Sequence, residues 1–232
     1  MTKTMIRKAV RSGYDCRVDL EQIADSGLGE GLSCQRRSEG LARGFDVLVA
    51  VIALIAALPV MLITAVAILV ESAGKGPVFY RQIRVGANGS NFSVIKFRTM
   101  STDAEKDGAQ WAQKNDPRVT RVGAFLRNTR IDELPQFINV LQGDMSVVGP
   151  RPERPEFVTE LSESIPHYET RHIVKPGITG WAQVHYPYGA SEQDSRNKLE
   201  YDLFYLQHSN LMMDFLVAFK TVRVCLLGVG AR

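Results

Sequence analysis

The sequence predicts an α+β fold, mainly helical: a membrane-inserted helical segment followed by a compact cytoplasmic domain that contains a small β-hairpin. Three observations lead there. Residues 47–70, VLVAVIALIAALPVMLITAVAILV, form an uncharged run of 24 residues with Pro59 near its centre. Two short β-prone segments, residues 78–81 and 92–97, flank the turn signal Ala87-Asn88-Gly89-Ser90. Further on, apolar residues recur at helical spacing, as in Leu134, Phe137, Ile138 and Leu141.

With 45% hydrophobic and 23% charged residues, the 232-residue chain has enough apolar material for a core. Its net charge of +3, from 28 basic and 25 acidic side chains, is too mild to point to nucleic acid. Phosphate ligands or an anionic membrane surface suit it equally well. Cys16, Cys34 and Cys225 are scattered, with neither metal spacing nor a disulfide framework, which fits a reducing compartment. Residues 1–42 read as a polar tail, without the apolar core of a signal peptide. The membrane segment is expected over residues 43–72 and the cytoplasmic domain over residues 73–232.

A straight helix over the apolar run would reach roughly 36 Å, enough to cross a ~30 Å hydrocarbon core. Pro59 stands thirteenth of the 24 residues. It removes one backbone hydrogen bond and crowds the preceding turn, so a break or kink is expected there. Each half, about 18 Å, is too short to cross alone. Arg36, Arg37 and Arg43 precede the run, while Lys75, Arg81 and Arg84 follow it. The positive-inside rule therefore gives no orientation for a span. On these residues a re-entrant hairpin with both ends cytoplasmic and a kinked span stand level.

In the cytoplasmic part, Lys96 and Arg98 fall at the end of the second expected strand. Residues 101–115 read as a surface helix or loop. Residues 115–155 hold Arg118, Arg121, Arg127, Arg130, Arg151 and Arg154 and no lysine. Arginine's planar fork suits bidentate contact with carboxylate or phosphate. Among these arginines lies RIDELPQ, with the adjacent acids Asp132 and Glu133. Pro135 fits only a first helical turn, so a helix is expected to begin near Asp132. At such a helix start, free N–H groups and the dipole would keep Asp132 ionised, as a nucleophile or metal ligand requires. Adjacent helical residues point about 100° apart, so the two acids must play different roles. A plain helix cap is the competing reading.

GDMSVVGPRPE reads as a loop in which two prolines fix the backbone around Arg151. KPGITGWAQV reads as a second loop, its Trp181 either a pocket wall or a core plug. Residues 199–228 read as two helices separated at His208-Ser209-Asn210, packed on the core or at the membrane interface. Neither a metal spacing nor a triad pattern links His167, His172, His185 and His208, which are read as structural.

Taken together, KFRTM, NDPRVTRVG, DELPQ, GDMSVVGPRPE and PGITGWAQV resemble the bacterial sugar transferases, the monotopic phosphoglycosyl transferases, over roughly four fifths of the chain. VHYPYGAS is similar to an exopolysaccharide-associated branch. The resemblance implies a re-entrant membrane helix broken at Pro59, on the cytoplasmic face of the bacterial inner membrane. It implies transfer of a hexose-1-phosphate from a UDP-hexose to undecaprenyl phosphate, with UMP released and a covalent intermediate on Asp132. By position Glu133 is the acidic partner, both acids hold Mg²⁺, and Arg127 and Arg151 bind phosphate, with Lys96 and Arg98 beside them. Membrane lipids are implied as partners, and a homodimer is left open. Leu58 and Arg130-Ile131 depart from the Ser and Ser-Leu common in the family. A lipid-phosphate phosphatase and a non-catalytic scaffold are the competing functions.

Overall fold

The computed structural model describes residues 39–104, 106, 108, 116–186, 189 and 191–227. Most of the expected polar tail and of the 101–115 segment lies outside them. Helix α1 runs Glu39–Glu71 as one element with Pro59 inside it. Of the expected break or kink at Pro59, the break into two helices is thus corrected. Proline costs one ladder bond, and membrane helices tolerate it where neighbouring groups and local adjustment re-satisfy the freed backbone. The helix is long and apolar enough to cross a membrane, and most of its apolar surface faces outward.

Both arms of α1 are fixed to the rest of the chain. Near its start, Arg43 donates to the carbonyl oxygens of Val140 (2.5 Å) and Leu141 (2.7 Å). The buried Asp46 carboxylate accepts from the Ser146 hydroxyl (2.9 Å) and the Val147 amide (3.0 Å). Ala50 is fully buried in the main core with Val140, Met145 and Val147. Near its end, Ile68 packs with Phe97 and Leu126, flanked by Met61 and Ala65. Burying an isoleucine in this way stabilises by roughly 1.5–3 kcal/mol.

Strands β1 (Phe79–Val85) and β2 (Asn91–Phe97) form the expected antiparallel hairpin, with Tyr80 opposite Lys96. Asn88 (φ 55°) and Gly89 (φ 73°) make the left-handed turn between them. Helix α2 (Arg121–Thr129) starts where the Thr120 hydroxyl accepts from the Gly123 amide. A Cβ on Gly123 would sit 2.0 Å from the Thr99 carbonyl oxygen, so only glycine lets α2 approach the end of β2.

Helix α3 (Gln136–Gln142) ends at Gly143, φ 94°. Its Asn139 is 1% exposed and clamps β2, accepting from the Ile95 amide (2.9 Å) and donating to the Ser93 carbonyl (2.8 Å). Strands β3 (Ser146–Val148) and β4 (Gly177–Thr179) pair in parallel, where the sequence reads as two loops. Helices α4 (Pro155–Ser164), α5 (Trp181–His185), α6 (Glu192–His208) and α7 (Leu211–Leu227) complete the domain. Trp181 is a core plug, 3% exposed. Helices α6 and α7 meet at the expected break, and α7 has two apolar faces. Met213 and Val217 are buried, while Met212, Phe215, Phe219 and Val222 form an exposed stripe joined to α1 by the Phe45–Phe215 ring contact.

Candidate active site

Helix α2 ends at Arg130 in the left-handed region (φ 57°, ψ 17°), which for a non-glycine residue costs on the order of 1–2 kcal/mol. That turn swings the chain into a single 3₁₀ turn, Ile131–Glu133, before Pro135 opens α3. Asp132 and Glu133 are both buried there, 9% and 8% exposed. Asp132 is therefore not the cap of an α-helix, and the dipole argument for keeping it ionised fails. Burial first, and the neighbouring Glu133 second, push its carboxyl up to about 6. Lys96, Arg151 and Arg127 offset this only in part.

Glu133 behaves in the opposite way. Burial alone would push it up, but Arg151 and Lys96, with Arg130 further off, hold it well below the usual carboxylate range. Its Oε1 lies 3.1 Å from Lys96 Nζ and 2.5 Å from Arg151 Nη2. Its Oε2 lies 3.4 Å from Arg151 Nη1 and 3.9 Å from Arg130 Nη1. Asp132 makes no hydrogen bond through its carboxylate among the described residues. The pair is thus electrostatically unequal, one acid clamped and ionised, the other buried and near the point of protonation.

The expected phosphate ligands divide. Lys96 and Arg151 converge on the acids. Arg127 acts on Asp132 through its charge, and its Nε donates to the Thr99 hydroxyl at 2.9 Å. Arg98 follows the end of β2 and donates instead to the Lys75 carbonyl oxygen at 3.0 Å; no described contact brings it to the acidic pair. Arg151 stands on a rigid turn. The Gly149 amide donates to Thr179 O (2.9 Å), and the Gly177 amide donates to Pro150 O (2.9 Å).

Three contributors are absent from the sequence reading. Thr99, inside KFRTM, orients Arg127. Asn139, six residues after Glu133, fixes the strand that carries Lys96. Gln136, inside DELPQ, is 2% exposed, and its amide nitrogen has no partner among the described residues. All three lie in or near the quoted motifs, which is the signal that marks them.

Residues 37–228 match the model of the bacterial sugar transferase family. The chain belongs to the bacterial sugar transferase family. A UDP-N-acetylgalactosamine-undecaprenyl-phosphate N-acetylgalactosaminephosphotransferase of Aeromonas hydrophila is 49% identical over 216 residues, covering 93% of this chain and 50% of that protein. A UDP-glucose:undecaprenyl-phosphate glucose-1-phosphate transferase of Xanthomonas campestris pv. campestris is 45% identical over 183 residues, 77% of this chain and 37% of that protein. The exopolysaccharide production protein PSS of Rhizobium leguminosarum bv. phaseoli is 40% identical over 188 residues, 78% of this chain and 93% of that protein. The chain thus spans half or less of the first two relatives and nearly all of the third.

In this member of the family the donor set limits how a metal is held. No group of three or more His, Cys, Asp or Glu gathers among the described residues. Mg²⁺ needs only one or two carboxylates when substrate phosphates complete its shell. The unpartnered, buried Asp132 carboxylate fits that requirement. Glu133, with both oxygens committed to cations, does not fit it in this arrangement.

Proposed function

We propose that the chain transfers a sugar-1-phosphate from a UDP-sugar to undecaprenyl phosphate, releasing UMP, as the initiating step of exopolysaccharide assembly. The unequal acidic pair carries this reading. A carboxylate held by cations is stabilised and unreactive, whereas its buried, unpartnered neighbour is a competent nucleophile once ionised.

In the first step an Asp132 carboxylate oxygen bonds to the sugar-bearing phosphorus of the UDP-sugar. The bridging P–O bond breaks, and its electron pair leaves with UMP. In the second step a phosphate oxygen of undecaprenyl phosphate attacks the same phosphorus. The Asp132–phosphorus bond breaks, which regenerates the carboxylate and yields the undecaprenyl diphosphate sugar. Lys96, Arg151 and Arg127 supply fixed positive charge around the transferring phosphoryl group, and Glu133 keeps Lys96 and Arg151 in place. Mg²⁺, held by Asp132 and the substrate phosphates, would offset the repulsion between nucleophile and diphosphate.

The same reading places α1 as a re-entrant element of the inner membrane, bent at Pro59 without ending the helix, with the site on the cytoplasmic face. Both arms of α1 pack on one body, at Ala50 and at Met61. Residues 51–60 between them amount to about 15 Å of helix, half of a ~30 Å core. The exposed stripe of α7 would lie against the same leaflet.

Incubating the detergent-solubilised protein with undecaprenyl phosphate, Mg²⁺ and a panel of UDP-sugars tests the reaction. The panel includes UDP-N-acetylgalactosamine and UDP-glucose, the sugars in the relatives' names, as well as UDP-galactose. UMP release that requires the lipid acceptor is the expected result. No release with any of them would sink the reading, and release independent of the lipid would mean hydrolysis instead.

A further inference from the structure

Behind the Pro150-Arg151-Pro152 turn lies a buried charge pair that the proposed chemistry does not use. Arg171 is 5% exposed and Asp202 1%, with Arg171 Nη2 2.7 Å from Asp202 Oδ2. The same nitrogen lies 3.0 Å from the Arg151 carbonyl oxygen, and Nη1 donates to the Tyr168 hydroxyl at 2.7 Å. On the other side of the turn, Arg84 Nη1 donates to the Pro152 carbonyl oxygen (3.0 Å) and to Glu153 Oε2 (3.3 Å). The Val85 amide donates to the Glu153 carbonyl oxygen at 2.9 Å.

With the two amide contacts at Gly149 and Pro150, every residue from 149 to 153 has a backbone group tied to another part of the chain. Prolines at 150 and 152 remove two donors from this stretch, so its carbonyls need partners from outside. An ion pair as deep as Arg171–Asp202 is not needed for stability alone. Apolar residues of similar volume in such places are often neutral or better. An apolar side chain, however, cannot bond the Arg151 carbonyl.

We infer that Arg171, held by Asp202 and Tyr168, is a positioning residue. It fixes the backbone of Arg151 so that both guanidinium nitrogens meet Glu133, while Arg84 secures the next carbonyl from the opposite side. The inference deepens the proposed function and rests on it for turnover, but not for the geometry.

Two measurements on full-length Arg171→Lys decide it. Hydrogen–deuterium exchange reads the Val85 and Gly177 amides, which report the turn, and the Ile95 amide, which reports the β2–α3 clamp. Exchange at least about tenfold faster at the first two, with Ile95 unchanged, is expected. Turnover is then compared in Arg171→Lys, Arg151→Lys and the double variant. A misplacement of about 1 Å can cost on the order of 100-fold, so the single Arg171 variant is expected to lose about 10- to 100-fold. In the Arg151→Lys background the same substitution should cost less than about twofold, because its effect runs through Arg151. Unchanged exchange at Val85 and Gly177, or fully multiplicative turnover losses, would overturn the inference. If the wild type releases no UMP, exchange alone decides, and only the functional reading has failed. Asp202→Asn, which leaves Arg171 present without its counter-charge, is read in the same way if Arg171→Lys does not fold.

Discussion

Lys96 Nζ lies 3.1 Å from Glu133 Oε1, and across the same carboxylate stands Arg151. Burial pushes the Lys96 ammonium down, and Glu133 pulls it back towards its charged form. The lysine and the carboxylate thus keep each other ionised in a site shielded from water. Removing one partner of a buried pair leaves an uncompensated charge, typically a loss of ~3–5 kcal/mol. Glu133→Gln is therefore expected to lower stability by an amount near the lower end of that range, since Arg151 retains some exposure. Urea unfolding at pH 7.5 checks it. A loss below about 0.5 kcal/mol would mean that the cations do not depend on Glu133.

Asp132→Asn should act in the opposite direction. The folded carboxyl titrates at about 6 against an ordinary 3.8, so the folded state binds its proton more tightly than the unfolded state. The stability this group contributes is complete below 3.8 and is lost as pH rises through about 6. At pH 8 the ionised Asp132 thus destabilises the fold, by up to about 3 kcal/mol. Without divalent cations, Asp132→Asn is expected to melt several degrees above the wild type at pH 8. The gap should close below pH 4, and turnover should be absent throughout. Equal melting temperatures at both pH values would count against a strained nucleophile.

How far the residues spoke for themselves depended on range. Local signals read well: Asn88 and Gly89 made the hairpin turn, and His208-Ser209-Asn210 separated the last helices. The acidic pair was legible as a pair, but the order of its ionisation was not. That order depends on Lys96, 37 residues away, and on Arg151, 18 residues away. It also depends on Arg130, whose left-handed backbone detaches Asp132 from the helix that the pattern predicts. Three-residue strands such as β3 and β4 carry too little alternation to be seen, and their pairing is parallel and long-range. Arg171 and Asp202 gave no sequence signal, because nothing local links them.

His172 adds a pH dependence of its own. Burial first and Arg171 second push its imidazole down to about 4 from 6.5. The neutral ring therefore contributes stability that is complete above 6.5 and lost as pH falls towards 4. The ring is partly exposed, so solvent screening reduces the effect below the ~3 kcal/mol that the shift alone would give. Between pH 4 and 6 this dependence opposes that of Asp132, and the wild-type curve partly cancels. His172→Gln is expected to unmask it, melting closer to the wild type at pH 4.5 than at pH 7.5. A constant difference across that range would mean that His172 titrates normally.

The arrangement of α1 predicts where its two ends lie. Arg43 holds the carbonyls of Val140 and Leu141, while Glu71 Oε1 accepts from the Val122 amide (3.1 Å), so both ends belong to the body that carries Asp132. A straight 33-residue helix would be about 50 Å long and would carry one end through the bilayer. Between its contacts at Ala50 and Met61, α1 leaves residues 51–60, about 15 Å of helix, too little to cross a ~30 Å core; returning to the same side, this stretch reaches roughly half its length. Cysteines introduced singly at Gly40 and Ser72 should therefore react with an impermeant maleimide only from the cytoplasmic side of membrane vesicles. A cysteine at Leu58 should stay unlabelled from either side. Pro59→Ala restores the missing ladder bond and removes the reason to bend, so it is expected to shift the equilibrium towards a span. Labelling of the two ends from opposite sides in the wild type would show that the helix crosses, and that the contacts at Ala50 and Met61 do not keep both ends together.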